Sequence, residues 1–443
     1  MSKDDETIED IVKNDICTGC GTCVALCPSE ALELTINEKK GIYIPKLTEE
    51  KCNNCGICLK ICPGHEIDFK ALNLEIFKKE PDDVMIGNYL NCYIGHATDY
   101  DIRYNSASGG LITALLIFAL EEGIIDGALV TRMKKDSPLE PEPFIARTKE
   151  EIIEASKSKY CPVPSNIAVK EISKSEEGEK FAVVGLSCHI HGIRKAEMIN
   201  KELKEKIVLH LGILCNHTAN FLGTEFLLQK FGVKKEDVKK LDYRGEGWPG
   251  GMLIEMKNGS KKFIPLLTYW ISAFESYFIP TRCTLCSDET CELADISFGD
   301  IFSPELLAED KIGTSVIISR NEIGDRILQN AKSKEKVALK EVSSDKVIQS
   351  QEGVLYSKKR KINARIFFFR LFGKKVPIYD QELLKARRID YLGAIPFYFD
   401  LSISSKRYLW GFLRVYTPLK SYTKKILFGG AGYCLRKIKN ILR

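Results

Sequence analysis

The chain has 443 residues, 44% of them hydrophobic and 28% charged, an ordinary globular balance with length for two or three domains. The amino-terminal MSKDDETIEDIVKND is acidic and lacks an apolar stretch, and no apolar run reaches about 18 residues, so neither a secretory signal nor a spanning helix is expected. The net charge of +5 hides an asymmetry: residues 358–443 hold 21 Lys/Arg against 4 Asp/Glu, a net +17, and the rest holds 44 against 56, a net −12. A basic tail on an acidic body points to an anionic partner for the tail.

The 16 cysteines would suit disulfides in a small secreted chain, but half of them fall in two tight runs. That favours a reducing cytoplasm and metal ligation. The first run is Cys17, Cys20, Cys23 and Cys27-Pro28; the second is Cys52, Cys55, Cys58 and Cys62-Pro63. Both read C-x2-C-x2-C-x3-C-P, the spacing of paired [4Fe–4S] clusters in which the fourth cysteine of each run serves the other cluster. Cys17, Cys20, Cys23 and Cys62 are therefore assigned to one cluster, and Cys52, Cys55, Cys58 and Cys27 to the other. Zinc sites typically pair cysteines across a longer loop, which two such runs do not match. Between the runs, ALELTINEKKGIYIP reads as a short hairpin with Gly41 in or near its turn. Pro81-Asp82-Asp83 reads as a linker.

From about residue 88 the pattern is mixed α/β. Leu111–Glu121 is an apolar helix candidate that Gly123 could cap. Ile124–Thr131, Phe181–Leu186, Lys206–Leu214, Ala294–Gly299 and Ser315–Ser319 read as strands. Met252–Lys257 and Lys261–Leu266 flank Asn258-Gly259, a hairpin signature.

Asn105, Ser106, Ser108, Gly109 and Gly110 run straight into the apolar helix. A Ser/Gly turn at a helix amino terminus offers free N–H groups to an anion such as a flavin or dinucleotide phosphate; the same residues also cap helices that bind nothing. In DYRGEGWPGG, Arg244, Gly245 and Trp248 suit a phosphate or deprotonated ring oxygen and a planar cofactor, or a glycine-rich surface turn. Lys159 is a further anion-anchor candidate.

Cys188 follows a strand and precedes a helix, Cys215 ends another strand, and Cys283 and Cys286 form a C-x2-C pair. Ends of neighbouring strands converge in α/β domains, so these four could hold a third cluster, with Cys291 as a competing ligand, or they are ordinary buried cysteines. His189, His191 and His217 read as hydrogen-bonded core or wall residues. In the tail, aromatics alternate with Lys and Arg, and Leu435, Ile438, Ile441 and Leu442 share one helical face.

Taken together, YIGHATDYDIRYNSASGGLITALL (93–116), SKYCPVP (158–164), FAVVGLSCHIHGIRKA (181–196), LGILCNHT (211–218), LDYRGEGWPGGM (241–252) and PTRCTLCSDETCELADISFGD (280–300) resemble the beta subunit of coenzyme F420-reducing hydrogenase and its related dehydrogenases. That family includes the electron-input subunit of the archaeal F420 dehydrogenase and plant 7-hydroxymethyl chlorophyll a reductase. With the cysteine runs, the resemblance spans about residues 12–320. It implies a bound FAD, a [4Fe–4S] cluster beside it on Cys188, Cys215, Cys283 and Cys286, and coenzyme F420 as substrate. It makes Cys291 and Cys161 local variation. The family loop Pro-Cys-Gln reads Ser187-Cys188-His189 here.

The expected architecture is α/β (α+β) in three parts: a two-cluster ferredoxin-like domain (1–80), a mixed α/β FAD and iron–sulfur domain (81–355), and a basic, aromatic-rich, largely helical extension (356–443). A deazaflavin gives up a hydride and iron–sulfur clusters carry single electrons, so a flavin stands between them. The expected activity is therefore an oxidoreductase that moves electrons from coenzyme F420 through FAD and the clusters to a one-electron partner protein. Two other readings stand: a ferredoxin-fed flavin reductase of an organic substrate, and a non-catalytic relay or docking subunit held at a membrane by its tail. A cytoplasmic location, with peripheral contact on the membrane face, is expected; no motif supports nucleic-acid binding.

Overall fold

The computed structural model describes residues 6–301 and 310–427. An amino-terminal hairpin, β1 (Leu32–Asn37) and β2 (Ile42–Leu47), pairs antiparallel, with Gly41 at φ +62° in its turn. The two cysteine runs flank it. In each run a left-handed glycine, Gly21 or Gly56, opens a one-turn helix, Thr22–Ala25 or Ile57–Lys60. β3 (Glu66–Ile67) follows.

The centre is an eight-stranded mixed sheet. Its strands in chain order are β4 (Asn91–Ala97), β5 (Gly127–Met133), β6 (Pro141–Ala146), β7 (Phe181–Leu186), β8 (Ile207–Ile213), β12 (Ile296–Asp300), β13 (Ser315–Ser319) and β14 (Val337–Val342). The spatial order is β14-β4-β13-β12-β8-β7-β5-β6. β5, β7, β8 and β12 run parallel; β13 is antiparallel to β12, and β4 to β13. The carboxyl ends of β4, β5, β7, β8 and β12 therefore share one edge, where open α/β sheets bind their ligands. A small antiparallel sheet, β11-β10-β9, is built from β9 (Val238–Asp242), β10 (Gly251–Met256) and β11 (Lys261–Pro265).

The expected hairpin at Asn258-Gly259 forms between β10 and β11. β4, β6, β9 and β14 were not legible from alternation. β4 lies between two antiparallel neighbours and is buried on both faces, so its NCYIGHA does not alternate. β6 carries Pro141 and Pro143, which an edge strand tolerates. β5 starts three residues later than expected, because Ile125 turns into the core first.

The amino-terminal module is packed into the body. Ala25, Ile61, Ile67, Phe69 and Leu72 share an apolar core with Leu129, Val183 and Ile190. The module's turn at Thr22 lies on helix Ser187–Glu197 at Gly192, where a Cβ would stand 2.4 Å from Thr22 Oγ1. Asn166 Nδ2 donates to Thr22 Oγ1 and to the His189 carbonyl, 2.8 Å each.

The carboxyl-terminal stretch is threaded through the same body. A π-helical turn, Ser357–Lys361, joins helix Ser344–Tyr356 to helix Ile362–Leu371. β15 (Ile378–Tyr379) then pairs parallel with β3. Helices Arg388–Ser404 and Trp410–Leu427 follow, so the expected helical character of the tail holds. The apolar face expected at 435–442, and Cys434, lie outside the described residues.

Candidate functional site

The module thiols fall into two electrostatic groups. Burial raises the thiols of Cys17, Cys23 and Cys62, the last to about 11. Cys17 also feels Cys62 and Cys20, and Cys23 feels Cys20, Cys62 and Cys17. Burial raises Cys58 too, and its neighbours are Cys55, Cys27 and Cys52. Cys27 is held low: burial works against its thiolate, but the Ser29 hydroxyl and backbone amides outweigh it. The two groups touch at one point, since Cys23 also feels Cys58.

A third group lies on the carboxyl edge of the sheet. Leu186 and Ile213 are register partners at the ends of β7 and β8, and Cys188 and Cys215 each follow two residues later. Cys188 is the second residue of helix Ser187–Glu197, where the helix dipole favours a thiolate. Cys283 lies in the short helix Thr281–Thr284, and Cys286 just beyond it. Burial raises Cys188 strongly, and its further perturbers are Cys20, Cys283, Cys215 and Cys286. Cys215 likewise feels Cys283 and Cys286. Among the described residues, no three His, Cys, Asp or Glu side chains converge closely enough for a single metal ion. The thiols are thus grouped by electrostatic reach and not at single-ion spacing.

Three buried cations wall this group. Arg282 donates to the Pro63 carbonyl of the module at 2.8 Å and stands near Cys286, Cys188, Cys283 and Cys17. Burial works against the charge of Lys358, but Cys286, Cys215 and Cys283 outweigh it and raise its pKa. Arg365 donates to the Thr284 carbonyl at 2.6 Å and also stands near Cys286. Lys358 and Arg365 belong to the stretch read as a basic, aromatic-rich extension with an anionic partner of its own. The KKRK run at 358–361 looks like surface charge, and the one local hint was the apolar INARIFFF that follows it.

The loop between these thiols carries buried polar atoms without protein partners: Arg282 Nε, Ser287 Oγ, Asp288 Oδ1 and Glu289 Oε2. Burial drives the Glu289 carboxyl well above the usual carboxylate range. Unsatisfied buried groups are uncommon, and a local concentration of them calls for a missing partner.

Cys291 sits deeper. Its sulfur lies where a Cβ on Gly212 would come within 2.6 Å, packed beneath the sheet with Leu293 and Ala294. Cys161 packs in the apolar core of the small sheet, and Cys92 lies in β4. The histidines are wall residues. His189 Nδ1 accepts from the Leu186 amide at 3.2 Å, and its Nε2 donates to the Val163 carbonyl at 3.0 Å. Burial holds His189 and His217 at about 4, so both are neutral at pH 7. His191 Nε2 pairs with Asp288 Oδ2 at 2.8 Å.

Beside this group, three loops meet. Gly110, at φ +74°, caps the apolar helix Leu111–Glu121. The Gly109 amide donates to Ser315 Oγ at 2.9 Å, Ser108 Oγ donates to the Thr314 carbonyl at 3.0 Å, and Ser106 Oγ to the Ile102 carbonyl at 2.6 Å. Asn105 faces outward, its amide on the Asp101 carbonyl. Arg244 is 2% exposed. Its guanidinium donates to Tyr160 Oη at 3.0 Å, to Asp300 Oδ2 at 3.1 Å and to the Ala107 carbonyl, which leaves Nε unpartnered. Trp248 is buried, with Nε1 3.4 Å from Asp300 Oδ1. Gly245 turns at φ +149°, a backbone that L side chains rarely adopt.

Lys159 is placed elsewhere. Its ammonium donates to the carbonyls of Ala155, Ser156 and Lys157 at 2.5, 2.7 and 3.0 Å, closing the chain after helix Lys149–Glu154. Burial pulls it down to about 7. An anion anchor needs a free donor, and all three hydrogens of Lys159 serve carbonyls.

Sheet edge, thiols and cations together define an iron–sulfur oxidoreductase built on an α/β scaffold. Residues 16–65 match the 4Fe-4S dicluster domain. Residues 92–170 and 178–345 match the amino- and carboxyl-terminal models of the coenzyme F420 hydrogenase/dehydrogenase beta subunit. The chain is 30% identical over 255 residues to the beta subunit of the coenzyme F420 hydrogenase of Methanosarcina barkeri, covering 56% of this chain and 81% of that one. It is 25% identical over 364 residues to a subunit of the F(420)H(2) dehydrogenase of Methanosarcina mazei, covering 81% and 94%. It is 29% identical over 350 residues to the coenzyme F420-dependent sulfite reductase of Methanocaldococcus jannaschii, covering 76% of this chain and 49% of that one. In fold it matches a chain of the F420-reducing [NiFe] hydrogenase complex of Methanosarcina barkeri, with a TM-score of 0.52 at 24% identity over 66% of this chain and 96% of that one. The protein belongs to the family of coenzyme F420 hydrogenase/dehydrogenase beta subunits. No helix among the described residues is long and apolar enough to cross a membrane.

Proposed function

We propose that this protein is a flavin and iron–sulfur oxidoreductase that moves electrons between coenzyme F420 and a one-electron partner protein. The observation that carries this is the order of the thiol groups. Cys188 of the sheet-edge group feels Cys20 of the first module group, and Cys23 of that group feels Cys58 of the second. Cys55, in that second group, is exposed at the surface. Three one-electron centres in that order would lead from the sheet edge to solvent.

Cys17, Cys20, Cys23 and Cys62 would hold one [4Fe–4S] cluster, Cys52, Cys55, Cys58 and Cys27 a second, and Cys188, Cys215, Cys283 and Cys286 a third. The third fits the residues present: buried cations face the thiols, and nearby polar atoms lack partners. FAD fits the loops of Asn105–Gly110 and Arg244–Trp248, where a glycine-lined backbone surrounds a buried guanidinium with a spare donor. When bound, FAD supplies the exchange between a hydride and single electrons.

The protein's own residues then do three things. Tyr160, Asp300 and the Ala107 carbonyl fix Arg244, so its spare Nε–H points at one place with little reorganisation. Tyr160, Trp270 and Phe274, packed edge to face, keep water from its far side. Arg282, Lys358 and Arg365 balance the charge of four thiolates while neutral His189 and His217 add none. Residues 1–80 thus serve as the relay, 81–355 hold the chemistry, and 356 onward completes its wall. The relatives' names support coenzyme F420 as the substrate, and their standing as subunits supports a partner protein.

The test is to purify the protein anaerobically and add reduced coenzyme F420. Growth of the oxidised deazaflavin band, with flavin and cluster absorbance bleaching together, is expected. A bound flavin that ignores the deazaflavin but is bleached by reduced ferredoxin would make this protein a reductase of an organic substrate. Clusters without any retained flavin would make it a relay subunit.

A further inference from the structure

Helix Arg388–Ser404 is built inside out. It turns its two aspartates inward, Asp390 onto Arg360 at 3.0 Å and Asp400 onto Tyr416 and Lys420, and both aspartates are buried. Ile389, Leu392, Ile395 and Phe399 face out at 66, 63, 58 and 50% exposure. A helix on an ordinary soluble surface has the opposite polarity.

This apolar face continues on both sides. Phe399 meets Tyr416 at 6.0 Å between ring centres, and Tyr416 stacks on Phe412 at 5.3 Å. On helix Trp410–Leu427, Phe412, Val415 and Leu419 fall at i, i+3 and i+7 and are half to two-thirds exposed. On the other side Tyr391 lies 5.5 Å from Phe367, in the helix that ends with exposed Leu371 and Phe372. Three helices thus share one exposed apolar surface, and contiguous patches of that kind mark interaction sites.

Its charge names the occupant. Arg370, Lys385, Arg388, Lys406 and Arg414 are exposed around it. Of the four carboxylates in residues 358–443, Asp390 and Asp400 are buried in ion pairs, while Asp380, which accepts from the amides of Phe69 and Lys70, and Glu382 are exposed. Apolar helices lying flat and rimmed by an excess of cations fit the headgroup boundary of an anionic bilayer.

We propose that the surface formed by residues 367–419 docks this protein peripherally on an anionic lipid bilayer. The proposal stands whatever substrate is oxidised.

The test is flotation of the full-length holoprotein with vesicles of phosphatidylcholine alone or with phosphatidylglycerol added. Flotation is expected with the anionic vesicles, weaker in high salt, and absent with phosphatidylcholine alone. Replacing Leu392, Ile395 and Phe399 together by Gln should abolish it, while the unchanged melting midpoint shows the fold intact. Arg388→Gln and Arg414→Gln probe the rim without touching the apolar face, each lowering binding roughly five-fold. The proposal fails if the wild type does not float. It fails if neither kind of variant changes flotation. It fails if flotation begins only after residues 428–443 are removed, which would make that segment the occupant. It also fails if the wild type self-associates and the Gln variant is monomeric, since the face would then join two copies.

Discussion

Two buried charged clusters lie along the same parallel strands and are built on opposite rules. Toward the amino ends, at β8 and just before β12, Arg194, Glu197, His210 and Asp295 form a closed set. Asp295 Oδ1 accepts from Arg194 and Asn321 at 2.9 and 2.7 Å, and its Oδ2 from the His210 amide and Nδ1 at 2.7 and 3.1 Å. Glu197 takes His210 Nε2 at 2.7 Å on one oxygen and Arg194 at 3.2 Å on the other. A cavity of about 310 Å³ passes this set, yet every carboxylate oxygen in it is already engaged inside the protein. Past the carboxyl ends, in the Arg282–Glu289 loop, cations face thiols and polar atoms stand without partners. A cluster complete in itself holds the fold, and one left incomplete waits for a ligand.

Breaking the closed set should have the largest effect. Asp295→Ala leaves two buried cations, Arg194 and His210, to share Glu197 alone, at a cost of about 3–5 kcal/mol of stability. Chemical denaturation measures it. A change under about 1 kcal/mol would mean that water already serves this cluster, and the contrast would collapse.

The open cluster should respond in potential more than in stability. Lys358→Met removes a buried positive charge beside Cys286, Cys215 and Cys283. It should lower the midpoint potential of one cluster by on the order of 50–100 mV, since the reduced, more negative state loses more from it. Redox titration followed by paramagnetic resonance reads the shift. Equal shifts in the proposed third cluster and in the two proposed for the amino-terminal module would sink the local reading.

How much of this was legible in the sequence depends on how local each part is. The module cysteines were legible because each run brings three cysteines within one short loop. The Cys283/Cys286 pair and the strand-end cysteines were visible too, but their meeting depends on β7 and β8 being neighbours, which no periodicity records. Lys358 and Arg365 were missed because a basic run looks the same whether solvated or buried. Its burial rests on contacts far along the chain, Lys359 with Glu292 and Arg365 with the Thr284 carbonyl. Lys159 misleads for a related reason. A lysine's charge suits an anion, but the carbonyls of its own chain reach it first.

The smallest effect is a pH dependence carried by His210. Burial and Arg194 oppose its charge, but Glu197 and Asp295 outweigh them, and its folded pKa lies above the ordinary histidine value. Below about pH 6.5 the folded and unfolded chains both hold the proton, and the pairing stabilises the fold in full. As pH rises from there toward the raised folded value, the unfolded chain sheds its proton first. Stability should then fall by about 1.4 kcal/mol per pH unit in that window. The loss ends once pH passes the folded pKa. His210→Gln, weaker overall, should lack this slope, and denaturation curves across the window separate the two. Equal slopes would mean that the imidazole is already neutral in the folded protein. The two carboxylates would then be balanced by Arg194 alone, and the set would no longer be closed.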